Sequence, residues 1–255
     1  MTKDAVLAIL RKENDYISGE HISRLLGVSR AAVNTAVKAL RAEGYEISSS
    51  TNKGYHLDAV PNSISAQELA AYLDEARMQT VECLASVDST NNRLRELALA
   101  GAPNGQVVLA NEQTQGKGRR GRAFASPQDN GIYLSILFHP DTLPTDIVEI
   151  TAWTAVATNN AIEEVCGVRA GIKWVNDLVI DRKKICGILT EMSVESESGY
   201  IQYLIIGIGI NVNGQAEDFP AEIRSTATSL AMETGKTHSR AALAAALIRE
   251  LDSMC

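Results

Sequence analysis

Residues Gly116-Lys117-Gly118-Arg119-Arg120-Gly121-Arg122 constrain this chain more than any other segment. Three glycines and four cations fall within seven residues of a protein whose formal net charge is −7. Glycine weakens helix and strand interiors alike, so the segment reads as a loop. Its glycines permit positive φ and let a backbone approach an anion closely. Guanidinium groups supply forked donors for phosphate or carboxylate oxygens. A loop of this kind can close over a small polyanion; the plainer reading is a solvated basic turn or a nucleic-acid patch.

A second segment weighs against the plainer reading. Lys173-Trp174-Val175-Asn176-Asp177-Leu178 is followed by Asp181-Arg182-Lys183-Lys184-Ile185-Cys186-Gly187. Together the two segments resemble the biotin–protein ligase family, which reads Gly-Arg-Gly-Arg-Arg-Gly-Arg in the loop and Lys-Trp-Pro-Asn-Asp in the second motif. Lys117 replaces the first loop arginine, keeping the charge and losing the fork. Val175 replaces the proline and removes its fixed φ.

The length of 255 residues allows two domains, and the composition is that of an ordinary globular protein. No apolar run reaches membrane-spanning length and no secretory signal opens the chain, which makes the cytoplasm the expected compartment. Cys83, Cys166, Cys186 and Cys255 are scattered without a Cys-x-x-Cys pair, a pattern of buried or incidental thiols. Four dispersed histidines support neither a nucleophilic triad nor a protein zinc site.

Charge is shared unevenly. Residues 1–60 hold eight Lys+Arg and seven Asp+Glu, leaving 16 against 24 for residues 61–255. The N-terminal part is the only region whose balance does not oppose nucleic acid. Val6, Leu7, Ile9 and Leu10 mark a first helix, and Gly19 to Leu26 a second, ended by Gly27. Ser29 caps a third helix running to about Glu43, stopped by Gly44. Val33, Val37 and Leu40 repeat at helical spacing toward a core, while Arg30, Asn34, Lys38 and Arg41 line another face. Tyr45-Glu46-Ile47 and Tyr55-His56-Leu57 alternate around a loop ending in Lys53-Gly54. This is a helix-turn-helix pattern with a wing, the alternative being a three-helix packing module without DNA. Gly19 to Ala42 and Lys53-Gly54-Tyr55 resemble the N-terminal domain of bifunctional biotin ligase–repressors. That resemblance implies DNA contacts from Gly19, Glu20, Ser29, Arg30, Asn34, Lys38, Arg41 and Lys53.

Residues 61–65, with Pro61, read as a linker between a domain over 1–60 and one over 66–255. Ser65 to Glu68 forms a capping box. Helices are expected over about Ala66–Arg77, Asn91–Ala100, Asp146–Val165 and Ser239–Met254. Strands are expected at Val107–Ala110, Ile132–Phe138, Gly171–Trp174, Leu178–Ile180, Lys184–Ser193 and Tyr200–Asn211. This clustering predicts an α+β domain with a mixed or antiparallel sheet. The resemblance implies a class II synthetase-like ligase fold. It covers nearly all of this chain, although family members usually add a small C-terminal β-domain beyond the position of Cys255.

The resemblance also assigns roles. Ser89, Thr90 and Asn91, at a helix N-cap, are expected to bind the ureido end of biotin, where hydroxyl and amide groups offer donors and acceptors. Gln113, at the end of a strand, is expected to contact biotin. Lys117, Gly118 and Arg119 are expected to cover the ligand. Arg120, Arg122, Asn176 and Asn211 fall on the ATP or adenylate side. Asn213 is a further nucleotide candidate, and Phe124 stands ready to stack on adenine or simply fill core. Lys184, selected over Lys183 by its spacing to Cys186-Gly187, is expected to meet the biotin carboxylate and adenylate phosphate. With Arg119 and Asp177 it forms the expected catalytic set. Gly207 and Gly209 interrupt the buried-strand pattern Leu204 to Asn211, as a close-approaching ligand or backbone would require.

The activity implied is ATP-dependent activation of biotin, with Mg²⁺, to biotinyl-5′-AMP. Transfer to a lysine of the biotin carboxyl carrier protein follows. The regulation implied is adenylate-favoured homodimerisation on operator DNA. Alternatives are a lipoate or octanoate protein ligase-like enzyme and a non-catalytic biotin-sensing regulator.

Overall fold

The computed structural model describes residues 2–140, 147–195 and 199–254. The start of the helix expected from Asp146, and Cys255, lie outside the described residues. The chain divides into two compact units, Met1–Asn62 and Ser63–Cys255.

The first unit contains α1 (Thr2–Lys12), α2 (Gly19–Leu26), α3 (Arg30–Ala42) and a hairpin of β1 (Glu46–Ser50) and β2 (Gly54–Ala59). Ser18 and Ser29 cap α2 and α3 by accepting the amides of His21 and Ala32. Gly27 ends α2 in the left-handed region at φ 65°. Val6, Leu10, Ile22, Val33, Val37 and Leu40 bury the helical stripes, and Tyr45 and Ile47 extend this core into β1. Gly54 is required where it stands. Its φ is 110°, and a Cβ there would meet the Ile17 carbonyl oxygen at 2.1 Å. That approach lets Ile17 and Tyr55 exchange two backbone hydrogen bonds of 2.9 Å, pinning the wing to the helices.

The second unit runs α4 (Ala66–Leu69), α5 (Glu75–Met78), β3 (Val81–Leu84), α6 (Thr90–Leu99), β4 (Val107–Ala110), β5 (Gly131–Phe138), α7 (Ile147–Cys166), β6 (Gly171–Lys173), β7 (Asp177–Ile180), β8 (Lys183–Val194), β9 (Ile201–Asn211), α8 (Leu230–Thr234) and α9 (Arg240–Asp252). One seven-stranded sheet has the order β3-β4-β5-β9-β8-β7-β6. β3 and β4 are parallel and the remaining pairs antiparallel, so this is the expected α+β unit with a mixed sheet.

The pleat sorts the central strands. Ile132, Ile136, Ile188, Leu204, Ile206, Ile208 and Ile210 join the core that also holds the buried stripes of α7 and α9. The alternate positions face α6, where Leu94 packs with Val108, Leu137, Tyr203 and Ile205. On that second face most residues near the α6 N-terminus are small or polar: Ser135, Gly187, Glu191, Gly207 and Gly209. This gap in the apolar packing is where a ligand can enter.

Three local differences from the sequence reading have physical causes. The helix expected over Ala66–Arg77 is two short ones. Asp74 accepts the Arg77 amide at 2.8 Å, so it starts a new helix instead of continuing the old. β3 lacks an apolar alternation and forms by parallel pairing with β4. α8 is a single capped turn between Ser229 and Gly235, too short to show helical periodicity. Burial pushes the Cys83 and Cys186 thiols up to about 12 and Cys166 up to about 11, which makes them poor nucleophiles. Among the described residues no helix is long and apolar enough to cross a membrane.

Candidate active site

The N-terminus of α6 supplies one end of the site. Ser89, Thr90 and Asn91 are almost fully buried. Ser89 occupies the N-cap position, yet its hydroxyl makes no capping bond. The Gln113 side chain takes over that task. Its Oε1 accepts the Thr90 amide at 2.9 Å and the Thr90 hydroxyl at 3.1 Å, while its Nε2 donates to Ser126 Oγ at 2.9 Å. Ser135 sits below, its hydroxyl within hydrogen-bond distance of both Thr90 Oγ1 (2.7 Å) and Asn91 Oδ1 (2.5 Å). Asn91 Nδ2 donates to Glu191 Oε2 at 2.7 Å, and Arg95 pairs with Glu191 Oε1 at 2.9 Å. Ser126, Ser135 and Glu191 were not singled out from sequence. Ser135 and Glu191 are the polar interruptions at apolar strand positions that would have marked them.

The basic segment is a folded hairpin. Gly118 N donates to Arg122 O at 2.7 Å, and Phe124 N donates to Gly116 O at 2.9 Å. Arg119–Gly121 makes one 3₁₀ turn, with Arg120 left-handed at φ 56°. Gly116 is a required glycine, since a Cβ would meet the Phe124 carbonyl oxygen at 2.3 Å. Lys117 Nζ donates to Asn92 Oδ1 at 2.5 Å, and Asn92 in turn donates to Asp88, holding that carboxyl below the usual carboxylate range. Lys117 is therefore tied to the first turn of α6 despite losing the arginine fork. Arg120 and Arg122 are exposed.

The second motif meets the loop. Arg119 donates to Asn176 Oδ1 at 2.6 Å. Asn176 Nδ2 donates to Asp177 Oδ1 (3.2 Å) and to the Ile188 carbonyl (3.1 Å). Lys184 Nζ lies 2.7 Å from Asp177 Oδ1 and 5.9 Å from the centre of the Phe124 ring. The Lys184 backbone is clamped by Thr226 and Thr228. Arg119, Asn176, Asp177 and Lys184, distant in sequence, thus form one connected network. The Trp174–Val175 peptide is cis.

Two adjacent spaces, sharing Gly118, Arg119, Phe124, Asn176 and Lys184 in their walls, flank this network. The inner pocket lies among Thr90, Gln113, Lys117, Leu189, Gly207 and Gly209 and encloses about 40 Å³. The outer cleft encloses about 640 Å³ and is lined by Arg119, Arg120, Arg122, Lys173, Arg182 and Lys184, with Phe219, Ile223 and Ala227 as its apolar wall. Lys173, Arg182 and Phe219 were not among the assigned site residues. A separate groove between Phe138, Trp153 and Met254 contains none of the expected residues.

Some expected roles take a different form. A Cβ on Gly207 would meet Asn91 Oδ1 at 2.3 Å, and one on Gly209 would meet the Phe124 ring at 2.4 Å. The glycines receive protein side chains, and Phe124 packs inside the site on Gly209 and Gly187. Asn211 uses its amide on the Thr228 and Lys184 carbonyls, although its side chain borders the outer cleft. Asn213 spends both ends of its amide on the His238 backbone, which removes it from the nucleotide candidates.

In the first unit Arg30, Asn34 and Lys38 are exposed along α3, as the face pattern requires. Arg41 differs. Its guanidinium donates to the Ile47 carbonyl at 2.9 and 2.6 Å and to Ser49 Oγ at 2.5 Å, so it braces the wing instead of standing free. Gly19 opens α2 beneath the Tyr55 ring, a packing position, while Glu20 is exposed in the same turn. Ser29 is spent on its cap. Lys53 lies 5.8 Å from the Tyr16 ring centre.

Comparison with known proteins bears on both units. The biotin/lipoate A/B protein ligase family matches residues 83–211, and an HTH domain matches residues 2–56. The "Bifunctional ligase/repressor BirA" of Bacillus subtilis is 40% identical over 242 residues, covering 94% of this chain and 74% of the relative. Its counterpart from Escherichia coli is 29% identical over 245 residues, covering 96% and 74%. Among solved structures, the biotin protein ligase from Aquifex aeolicus in complex with biotin and ATP superposes with a TM-score of 0.60 at 32% identity, covering 68% of each chain. The Leishmania major enzyme in complex with biotinyl-5-AMP gives 0.57 at 26%, covering 69% and 74%. By sequence and fold, the chain belongs to the biotin/lipoate A/B protein ligase family, with a helix-turn-helix domain ahead of its ligase domain.

Proposed function

We propose that the protein is a biotin–protein ligase and biotin-dependent repressor: it converts biotin and ATP to biotinyl-5′-AMP and pyrophosphate, then transfers biotin to a carrier-protein lysine. The observation that carries this reading is the adjacency of two unlike environments. A hydrogen-bonding pocket at Ser89, Thr90, Asn91 and Gln113 shares Arg119, Asn176 and Lys184 with a cationic cleft also lined by Lys173 and Arg182. A cyclic urea with a carboxylated tail, joined to a nucleotide, matches that order of chemistry.

In the first step a biotin carboxylate oxygen attacks the α-phosphorus and pyrophosphate leaves. Both reactants are anions, and Lys184, Arg119, Arg120 and Arg122 lower their mutual repulsion. Lys117, Gly118 and Arg119 cover the ligand, Gly207 and Gly209 flank its chain, and Phe124, Asn176 and Asn211 border the nucleotide side. In the second step an acceptor lysine ε-amine attacks the acyl carbon of the mixed anhydride and AMP departs. The attacking amine must be neutral, and Asp177 stands beside Lys184 to orient it and receive its proton. Among the described residues Asp177 is the only carboxylate lining the cleft, and no group of three or more metal-ligating side chains occurs. Asp177 would be the protein group to hold a Mg²⁺ ion there. The ion would supply charge neutralisation on the triphosphate.

Repression follows from the first unit. Adenylate binding favours a homodimer in the cytoplasm, and the dimer presents two α3 helices to a palindromic operator. Arg30 and Asn34 read bases; Lys38 and Lys53 contact phosphates, with Gly19, Glu20 and the Ser29 cap at the same surface. The enzymatic reading is tested by incubating the protein with biotin, ATP, Mg²⁺ and a carrier domain and weighing the carrier by mass spectrometry. Biotinylated carrier and AMP are expected, with lipoate as the poorer substrate. Absence of both adenylate and biotinylated carrier, where a known ligase produces them, refutes it.

A further inference from the structure

The hydrogen bonds below the α6 N-terminus form one chain whose polarity is set from both ends. At one end, the Thr90 backbone N–H can only donate, so Gln113 must turn its Oε1 toward Thr90. Gln113 Oε1 also receives the Thr90 hydroxyl proton, which leaves Thr90 Oγ1 able only to accept. At the other end, the Glu191 carboxylate, paired with Arg95, can only accept. Asn91 must therefore turn its Nδ2 toward Glu191 and its Oδ1 toward Ser135.

The two halves meet at Ser135. Its hydroxyl lies 2.7 Å from Thr90 Oγ1 and 2.5 Å from Asn91 Oδ1, both of them acceptors, and it owns a single proton. One acceptor is left over in a nearly fully buried place, where an unmet polar group costs free energy. Thr90 and Asn91 both border the inner pocket. The surplus acceptor is complementary to an N–H of a bound ligand.

We propose that Glu191 is a positioning residue for biotin: by fixing the Asn91 amide, it leaves the Thr90–Ser135–Asn91 group one proton short, ready for a ureido N–H. Glu191 lies beyond the pocket wall and acts only through Asn91. Its ion pair with Arg95 holds the carboxylate in place, and the closeness of the Asn91 amide to Gly207 restricts the amide's movement. This rests on the biotin-ligase reading above.

The test measures biotin affinity by calorimetry, and KM for biotin and for ATP in adenylate synthesis. It uses the full chain and Glu191→Ala, Glu191→Gln, Asn91→Ala and Glu191→Ala/Asn91→Ala. Glutamine is nearly isosteric, so it guards against a variant that fails to fold. It can accept from Asn91 only by pushing its own NH₂ against Arg95. Both Glu191 variants are expected to weaken biotin about tenfold, the scale of one charge-assisted hydrogen bond, with KM for ATP unchanged. In the Asn91→Ala background the Glu191→Ala loss is expected to shrink below about twofold, because the residue through which it acts is gone. Unchanged biotin affinity in both variants, parallel changes in KM for ATP, or an undiminished loss in the double variant each overturns the proposal. Wild-type protein that binds no biotin overturns the ligase reading itself, and this inference with it.

Discussion

Replacing Gly207 with alanine tests the packing of the site most directly, because the structure predicts a change of sign. A Cβ at Gly207 would stand 2.3 Å from Asn91 Oδ1, 3.0 Å from Cγ and 3.1 Å from Nδ2. The amide has little freedom to withdraw. Asn91 is 3% exposed and held by Ser135 and Glu191. Overpacking costs about 1–3 kcal/mol and a stranded buried amide about the same, for a combined penalty of roughly 2–6 kcal/mol. Alanine returns about 0.5–1 kcal/mol through its lower backbone entropy in a strand. The net loss is about 1–5.5 kcal/mol, and the midpoint should fall by roughly 2–20 °C for a domain of this size. In an Asn91→Ala background the obstacle is gone and only the entropic gain remains, so the same change should raise the midpoint by about 1–4 °C. Both tryptophans, Trp153 and Trp174, lie in the ligase unit, so thermal unfolding followed by tryptophan fluorescence reports on that unit alone. Equal midpoint shifts in the two backgrounds would refute the claim that Asn91 is what Gly207 accommodates.

Three further outcomes are expected. Gly54→Ala places a Cβ against the Ile17 carbonyl and should abolish operator binding in a gel-shift assay while adenylate synthesis continues; retained operator affinity would show that the wing tolerates the clash. Arg119→Ala should speed release of the adenylate more than that of free biotin, by about 1.5–3 kcal/mol, measured as dissociation rates of each ligand; equal effects would show that Arg119 does not reach the phosphate. Lys38→Ala should weaken binding to all DNA sequences and reduce the slope of log affinity against log salt by roughly 0.9, whereas Asn34→Ala should change operator preference; an unaltered salt slope would remove Lys38 from the phosphate contacts.

Much of the architecture was legible because it depends on local chemistry. Ser18, Ser29, Ser65 and Ser239 each cap a helix, and Gly27 and Gly44 end the two helices of the turn motif, all through interactions within a few residues. The strands β4, β5, β8 and β9 were legible from apolar runs too long to be solvent-exposed. β3 and α8 were not, because a four-residue strand and a single helical turn owe their existence to partners elsewhere. The same divide runs through Arg41: helical periodicity put it on the exposed face, but periodicity carries no information about the Ile47 carbonyl that the wing brings within its reach.

The sequence by itself determined which chemistry is available: a basic glycine-rich loop, a Lys-Trp-Val-Asn-Asp motif with Lys184 downstream of it, and a polar run at a helix start. These follow from residue identity and short-range geometry. Only the tertiary structure decided how they combine. Sheet pairing brings Glu191 of β8 and Ser135 of β5 beneath Asn91 of α6, contacts spanning 100 and 44 residues of chain. It also decided that the two strand glycines make room for Asn91 and Phe124. The physical reason is that a hydrogen-bond chain or a packing slot is defined by distances of a few tenths of an ångström between remote segments. A sequence specifies those distances only through the complete fold.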